Sequence, residues 1–245
     1  MMDTEIVIVP DPDALAHEAA QRFAGLAREA AELRRRFGVA LSGGSTPHAL
    51  YRRLALEPYC SQVPWAQVHL FWADERSVPP DHPGSNYGTA YKALIAKVPI
   101  PTDNVHRIRG ELAHDAAARA YDRDLLRCFG GLQPRFDLVL LGLGSDGHTA
   151  SLFPGIEALE ETERLAVATT AVYGNRPTER VTLTLPVLNA ARLVLFLVSG
   201  SGKAKIVLAA LADGEQVLPV QRVRPAAGKL TWLIDAAAAS CLPTG

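Results

Sequence analysis

The sequence predicts an α/β fold, a largely parallel open sheet with helices on both faces. Three observations carry this. Strand-like and helix-like segments alternate along the chain. Several strands are apolar on both faces, as in Leu138–Leu141 and Leu193–Val198, a pattern that suits strands covered on both sides. Polar, glycine-rich turns recur directly after strands, where an open sheet holds its ligand crevice.

The elements follow in order. Glu5–Val9 is a short strand, and Asp11-Pro12-Asp13 signals a helix start. Leu15, Ala19, Phe23, Leu26, Ala30, Leu33 and Phe37 recur every three or four residues, so one amphipathic helix runs to a stop at Gly38. Val39–Leu41 is a strand, and a helix starts at Pro47, where the missing N–H costs nothing. Val68–Trp72 is a strand, Ser85–Val98 a helix, Asn104–Ile108 a short strand, Ala113–Phe129 a helix and Phe136–Leu141 a strand. Further strands are Leu165–Ala171, Arg180–Leu185, Leu193–Val198 and Leu230–Ile234, with a helix at Lys203–Ala212. The stretch Ser77–Gly84 is a loop within a single domain of residues 1–245.

Composition excludes several classes. The net charge of −1 gives no field for nucleic acid or an anionic membrane, so an anionic ligand needs a local positive cluster. Three widely spaced cysteines, with no C-x-x-C, argue against a disulfide framework and a cysteine-based zinc site. The N-terminus has no basic region followed by an apolar stretch, and no apolar run is long enough to span a bilayer. The expected setting is the cytoplasm.

Four polar clusters each follow a predicted strand: Ser42–Thr46, Asp74–Arg76, Gly142–His148 and Ser199–Lys203. Gly142, Gly144 and Gly147 spell G-x-G-x-x-G, but Leu152-Phe153-Pro154-Gly155 leaves room for only a short helix near Thr149, against the long helix of a dinucleotide site. The loop otherwise carries Asp146 and His148, the latter suited to proton transfer near neutral pH. A helix-capping His and a turn Asp would fit the same spacing. Ser42-Gly43-Gly44-Ser45-Thr46-Pro47 is either an ordinary turn into a helix or an anion nest of Ser42, Gly43, Gly44, Ser45 and Thr46 backed by the helix N-terminus. Lys203 follows Ser199-Gly200-Ser201-Gly202, which is not a Walker loop because Leu197 and Ala204 stand at two of its required positions. Asp74, Glu75 and Arg76 read either as a solvated ionic cluster or as an anion grip, and Arg180 as a charge opening a strand. No G-x-S-x-G or H-E-x-x-H occurs, so neither a hydrolase serine nor a catalytic metal is supported.

Taken together, these residues resemble the glucosamine-6-phosphate isomerase/6-phosphogluconolactonase superfamily. The match runs in order through Ser42–Pro47, Asp74–Arg76, His82–Tyr87, Gly142–Pro154, Arg180, Gly200–Lys203 and Pro225, Gly228, Trp232 and Asp235. The resemblance implies a Rossmann-like fold of that type and a phosphosugar lactone hydrolysed at its ester carbonyl, the second step of the oxidative pentose phosphate pathway. It implies His148 as general base, Asp146 as its support, and Arg76 as oxyanion stabiliser or substrate grip. Gly43–Thr46 with Arg180 and Lys203 would hold the 6-phosphate, with Ser42, Asp74 and Gly144 also at the substrate. It implies no cofactor or metal, and a monomer with neither nucleic acid nor membrane as partner. An amino-sugar-phosphate deaminase would carry Glu where Phe153 stands and would lack Arg76. A sugar-phosphate-sensing regulator would need a helix-turn-helix that the first 37 residues do not offer.

Overall fold

The computed structural model describes residues 4–212 and 218–243. The chain order is β1 (Thr4–Val9), α1 (Pro12–Arg34), β2 (Phe37–Leu41), α2 (Ser45–Leu54), α3 (Tyr59–Gln62), β3 (Val68–Trp72) and β4 (Asp74–Arg76). Next come α4 (Asn86–Ala93), α5 (His114–Cys128), β5 (Leu138–Leu141), β6 (Ala166–Thr170), β7 (Glu179–Leu183), α6 (Leu185–Asn189), β8 (Leu193–Val198), α7 (Ala204–Leu211) and β9 (Lys229–Asp235). Six strands form a sheet in the order β1-β9-β8-β5-β2-β3. Every pairing in it is parallel, so the predicted class holds.

Helix α1 shows how local sequence and packing combine. The Asp11 carboxylate accepts from the Ala14 amide at 2.8 Å, and Pro12 opens the first turn. Leu15, Ala19, Phe23, Ala27 and Ala30 are buried along one face. Burying a side chain such as Phe23 contributes about 1.5–3 kcal/mol. The helix stops earlier than its apolar spacing predicts. Arg35 turns left-handed at φ 58°, and Phe37 opens β2 opposite Val68 of β3. An apolar Phe37 suits either the helix stripe or a buried strand, and strand pairing decides it. Gly38 therefore lies inside a strand and stops nothing.

Two further expectations are corrected. Asn104–Ile108 does not form a strand: a 3-10 turn covers Thr102–Asn104, and a single bridge joins Val105 to Leu70. The Asn104 and Val105 amides are spent on this turn, donating to Pro101 O and Thr102 O, which leaves His106 N alone to reach Leu70 O. The second correction is a small antiparallel sheet in the order β4-β7-β6. Ala73 joins the two sheets, donating to Leu41 O at 2.7 Å and accepting from Leu183 N at 2.8 Å. The Asp74–Arg76 cluster is thus a strand itself, and so is held rigidly. Helix α5 packs on β6 and β7, and α1 on β2, β9 and α2. Among the described residues no helix is long and apolar enough to cross a membrane.

At the opposite end of β3 from Trp72, His69 and His106 share a hydrogen bond of 3.1 Å, and His106 stacks on Phe71 at 4.4 Å. Burial first, and then the Arg36 charge, pushes both imidazoles down to about 4. Between the unfolded value of 6.5 and this folded value the unfolded chain binds more protons. Stability therefore falls as pH drops from 6.5 to about 4 and is not lost further there through these groups. Both rings are partly exposed, which reduces the effect. Calorimetric Tm measured against pH should fall less steeply in His69→Gln/His106→Gln than in the parent chain. Parallel slopes would remove the pair from the account.

Candidate active site

The crevice lies where the strand order reverses. From β2 the chain goes outward to β3, then crosses back so that β5 lies on the other side of β2. At such a switch point the loops leaving neighbouring strands diverge and open a cleft at their C-terminal ends. The cleft has a volume of about 220 Å³. Ser42, Gly43, Gly44, Ser45, Thr46, Asp74, Arg76, Gly144, His148, Arg180 and Lys203 all line it. Segments far apart in sequence therefore converge as the four polar clusters suggested. Asp146 stands behind His148 and bonds to its ring.

The loop after β2 is built for close approach. Ser42 is buried, and its hydroxyl donates to Leu140 O at 2.7 Å, tying β2 to β5. Its backbone is held by the Tyr51 hydroxyl on both sides. A Cβ on Gly43 would come within 1.9 Å of Asn86 Oδ1, and Gly44 has φ 107°, so both positions require glycine. Helix α2 begins at Ser45, two residues before the expected start. Pro47 still falls in the first turn, where no intrahelical partner exists for an N–H. The Ser45 and Thr46 amides belong to that turn and point with the helix dipole toward the crevice end.

Strand β4 separates two carboxylates by role. Glu75 is buried and accepts from the amides of Arg76, Asn86 and Tyr87 and from Ser85 Oγ, at 2.7–3.0 Å. Burial pushes its carboxyl up, and the three amides oppose this. It organises the entry to α4 and does not line the cleft. Asp74 lines the cleft, yet its oxygens accept from Ser151 Oγ at 2.6 Å and Asn86 Nδ2 at 3.2 Å.

Arg76 lies directly opposite Arg180 in the β4–β7 register. Like charges facing across a sheet are unfavourable. Arg180 is only 2% exposed, so of its two readings the plain edge charge at a strand opening does not hold. It sits on β7, the middle strand of the small sheet, and so is covered from both sides. Burial lowers its pKa, and the Asp74 charge opposes that shift. Arg180 Nε and Nη2 and Arg76 Nε are buried without a hydrogen-bond partner. Arg76 otherwise donates to Gly84 O at 2.5 Å, and Arg180 lies over the Phe153 ring at 5.4 Å. Buried donors left unpaired are costly unless an acceptor arrives, and here they border the cleft.

The Gly142–Gly155 segment contains no helix, against the expected short one. A bridge between Thr149 and Leu152 closes it, and Thr149 Oγ1 donates to Gly142 O at 2.9 Å. The Thr149 hydroxyl is committed backward across the loop, where the helix was expected to start. This removes the last resemblance to a dinucleotide fingerprint. Gly147 takes φ 82°, so the chain returns and brings His148 Nδ1 to 2.5 Å from Asp146 Oδ1. With Asp146 ionised, Nδ1 carries the proton and Nε2 keeps the lone pair. Phe153 stacks on the ring at 4.1 Å. His148 is 8% exposed, and burial holds it below its ordinary value despite the opposing pull of Asp146. Lys203 donates to Leu143 O at 2.7 Å, and Asp235 anchors the preceding turn through Ser199 Oγ and Gly200 N.

Among the lining residues that escaped the sequence assignment are Asn86, Tyr173 and Arg176. Asn86 lay in a segment that carried the resemblance and could have been nominated from it. Tyr173 and Arg176 belong to the loop between β6 and β7, where Tyr-Gly-Asn-Arg-Pro reads only as a turn.

A family model described as glucosamine-6-phosphate isomerases/6-phosphogluconolactonase matches residues 10–232. The chain is 42% identical over 240 residues to 6-phosphogluconolactonase from Rattus norvegicus, covering 97% of this chain and 93% of that one. It is 44% identical over 233 residues to the Homo sapiens 6-phosphogluconolactonase, covering 94% and 88%. Among solved structures, 6-phosphogluconolactonase from Trypanosoma brucei superposes with a TM-score of 0.86 at 29% identity, covering 99% and 100%. A monomeric glucosamine-6-phosphate deaminase, at 20% identity and a TM-score of 0.81, shares the fold. The fold and these relatives define an α/β enzyme. The chain belongs to the family of glucosamine-6-phosphate isomerases and 6-phosphogluconolactonases, on its lactonase side.

Proposed function

We propose that the chain hydrolyses 6-phospho-D-glucono-1,5-lactone to 6-phospho-D-gluconate, without a metal, using His148 as general base. One observation carries this reading: a neutral His–carboxylate dyad opens on the same cleft as two arginines with unpaired buried donors. The relatives' names supply the substrate.

In this reading the amides of Gly43–Thr46, with Arg180 and Lys203, hold the 6-phosphate. His148 Nε2 removes a proton from water as the water oxygen bonds to the lactone carbonyl carbon. Arg76 meets the oxyanion that forms. The intermediate collapses by breaking the bond to the ring oxygen, which takes the proton from His148. The product is an open-chain acid, and the enzyme returns to its starting protonation. Asp146 stabilises the imidazolium between the two transfers. Asp74 offsets the charge of Arg180 rather than binding substrate, since Ser151 and Asn86 occupy its oxygens. A lactone ester is already reactive, so positioning and one base suffice.

The deciding assay follows freshly generated lactone against its spontaneous hydrolysis, with and without EDTA. Acceleration that EDTA leaves unchanged is the expected result. A wild-type rate equal to the spontaneous one, or ammonia release from glucosamine 6-phosphate in its place, overturns the proposal.

A further inference from the structure

The His148 ring is held by more than its carboxylate. Phe153 covers one face, and Tyr173 meets it edge to face at 4.6 Å and 79°. Tyr173 reaches there from the β6–β7 loop, about 25 residues further along the chain than His148. Its hydroxyl lies 3.2 Å from Ser145 Oγ and accepts from the Ser145 amide at 3.4 Å, so it grips the residue next to Asp146. The Arg176 guanidinium covers the outer side of the phenol ring at 5.4 Å. One side chain thus touches both the imidazole and the loop that presents the dyad.

We propose that Tyr173 is a positioning residue for this site, its ring fixing the His148 imidazole against Phe153 and keeping water from it. The proposal rests on His148 being the base. Two constraints act on the ring, a stack and an edge. The Nδ1 bond to Asp146 alone leaves the imidazole free to swing about that contact. Removing the edge opens that side of the ring to solvent. The charged groups facing the imidazole are Asp146 from its own loop, Asp74 from β4 and Arg180 from β7. Lys203 acts on Tyr173 itself. Tyr173→Phe removes the hydroxyl grip on Ser145 and keeps the ring, so a change in His148 titration confined to Tyr173→Ala reports the ring. Burial is the main cause of the low His148 value, so its loss moves the midpoint up.

The test is NMR titration of His148 in the full chain, for wild type, Tyr173→Ala and Tyr173→Phe. Tyr173 stands in a loop and the Phe variant keeps the ring, so a folded comparison is secured. The expected result is an upward midpoint shift in Tyr173→Ala toward the ordinary value and little shift in Tyr173→Phe. Lactone turnover should follow, with kcat about tenfold lower in Tyr173→Ala and KM little changed. An unmoved midpoint in Tyr173→Ala, or an equal shift in both variants, overturns the proposal. So does a shifted midpoint with wild-type kcat. The titration needs no substrate, so it stands even where the lactone assay of the wild type fails.

Discussion

His148→Ala should lower kcat for lactone hydrolysis by about 10²–10⁴-fold, the usual contribution of a positioned general base. The phosphate contacts remain, so KM should change far less. The pH profile identifies the group more sharply than the loss alone. Burial holds the His148 imidazole below 6.5, so it is neutral and competent at pH 7. The rate should fall only when pH drops through that lowered value. Asp146 pulls the value up, so Asp146→Asn should move the acid limb further toward acid while lowering kcat. Measuring kcat/KM from about pH 5 to about pH 8 for the three proteins tests both statements. A folded His148→Ala with wild-type turnover would place the base elsewhere. An acid limb that moves upward in Asp146→Asn would contradict the dyad.

Gly144→Ala should be nearly as damaging, although it removes no chemical group. A Cβ there would sit 2.0 Å from His148 Nδ1, 2.3 Å from His148 Cε1 and 2.6 Å from Asp146 Oδ1. The added methyl occupies the place where the dyad forms. The imidazole cannot yield within its plane of packing, because Phe153 and Tyr173 hold it. It must leave the site, and a shift of about 1 Å in a catalytic group can cost about 10²-fold in rate. The fold has less to lose, since the crowded atoms are side-chain ends at the cleft. Gly144→Ala should therefore keep a near-native thermal transition and lose about 10²-fold or more in kcat. Retained activity would mean that the loop relaxes and the dyad geometry is not required. A large loss of stability would assign Gly144 to folding instead.

Gly144 marks the boundary of what sequence can say. The spacing of glycines announces that backbone comes close to something. Only the folded loop shows that the dyad itself packs against Gly144, at the edge of the cleft this glycine lines. Asp74 and Glu75 divide in the same way. Adjacent in sequence and alike in chemistry, they alternate sides along β4, and one lines the cleft while the other caps a helix entry. Alternation of side chains along a strand decides this, and the strand was hidden because three polar residues carry no strand signal.

The sequence by itself determined the α/β class, the helices α1 and α5 to within a few residues, and the family. These depend on local periodicity and on a motif, Gly142–Pro154, long enough to be specific. Tertiary structure decided the rest. It placed Phe37 in a strand, split off the small antiparallel sheet, buried Arg180 opposite Arg76, and brought Tyr173 against His148. Each of these depends on partners far away along the chain. An apolar, basic or aromatic side chain has the same local signature whether it meets solvent, a sheet or a catalytic ring, and only long-range packing assigns it one of them.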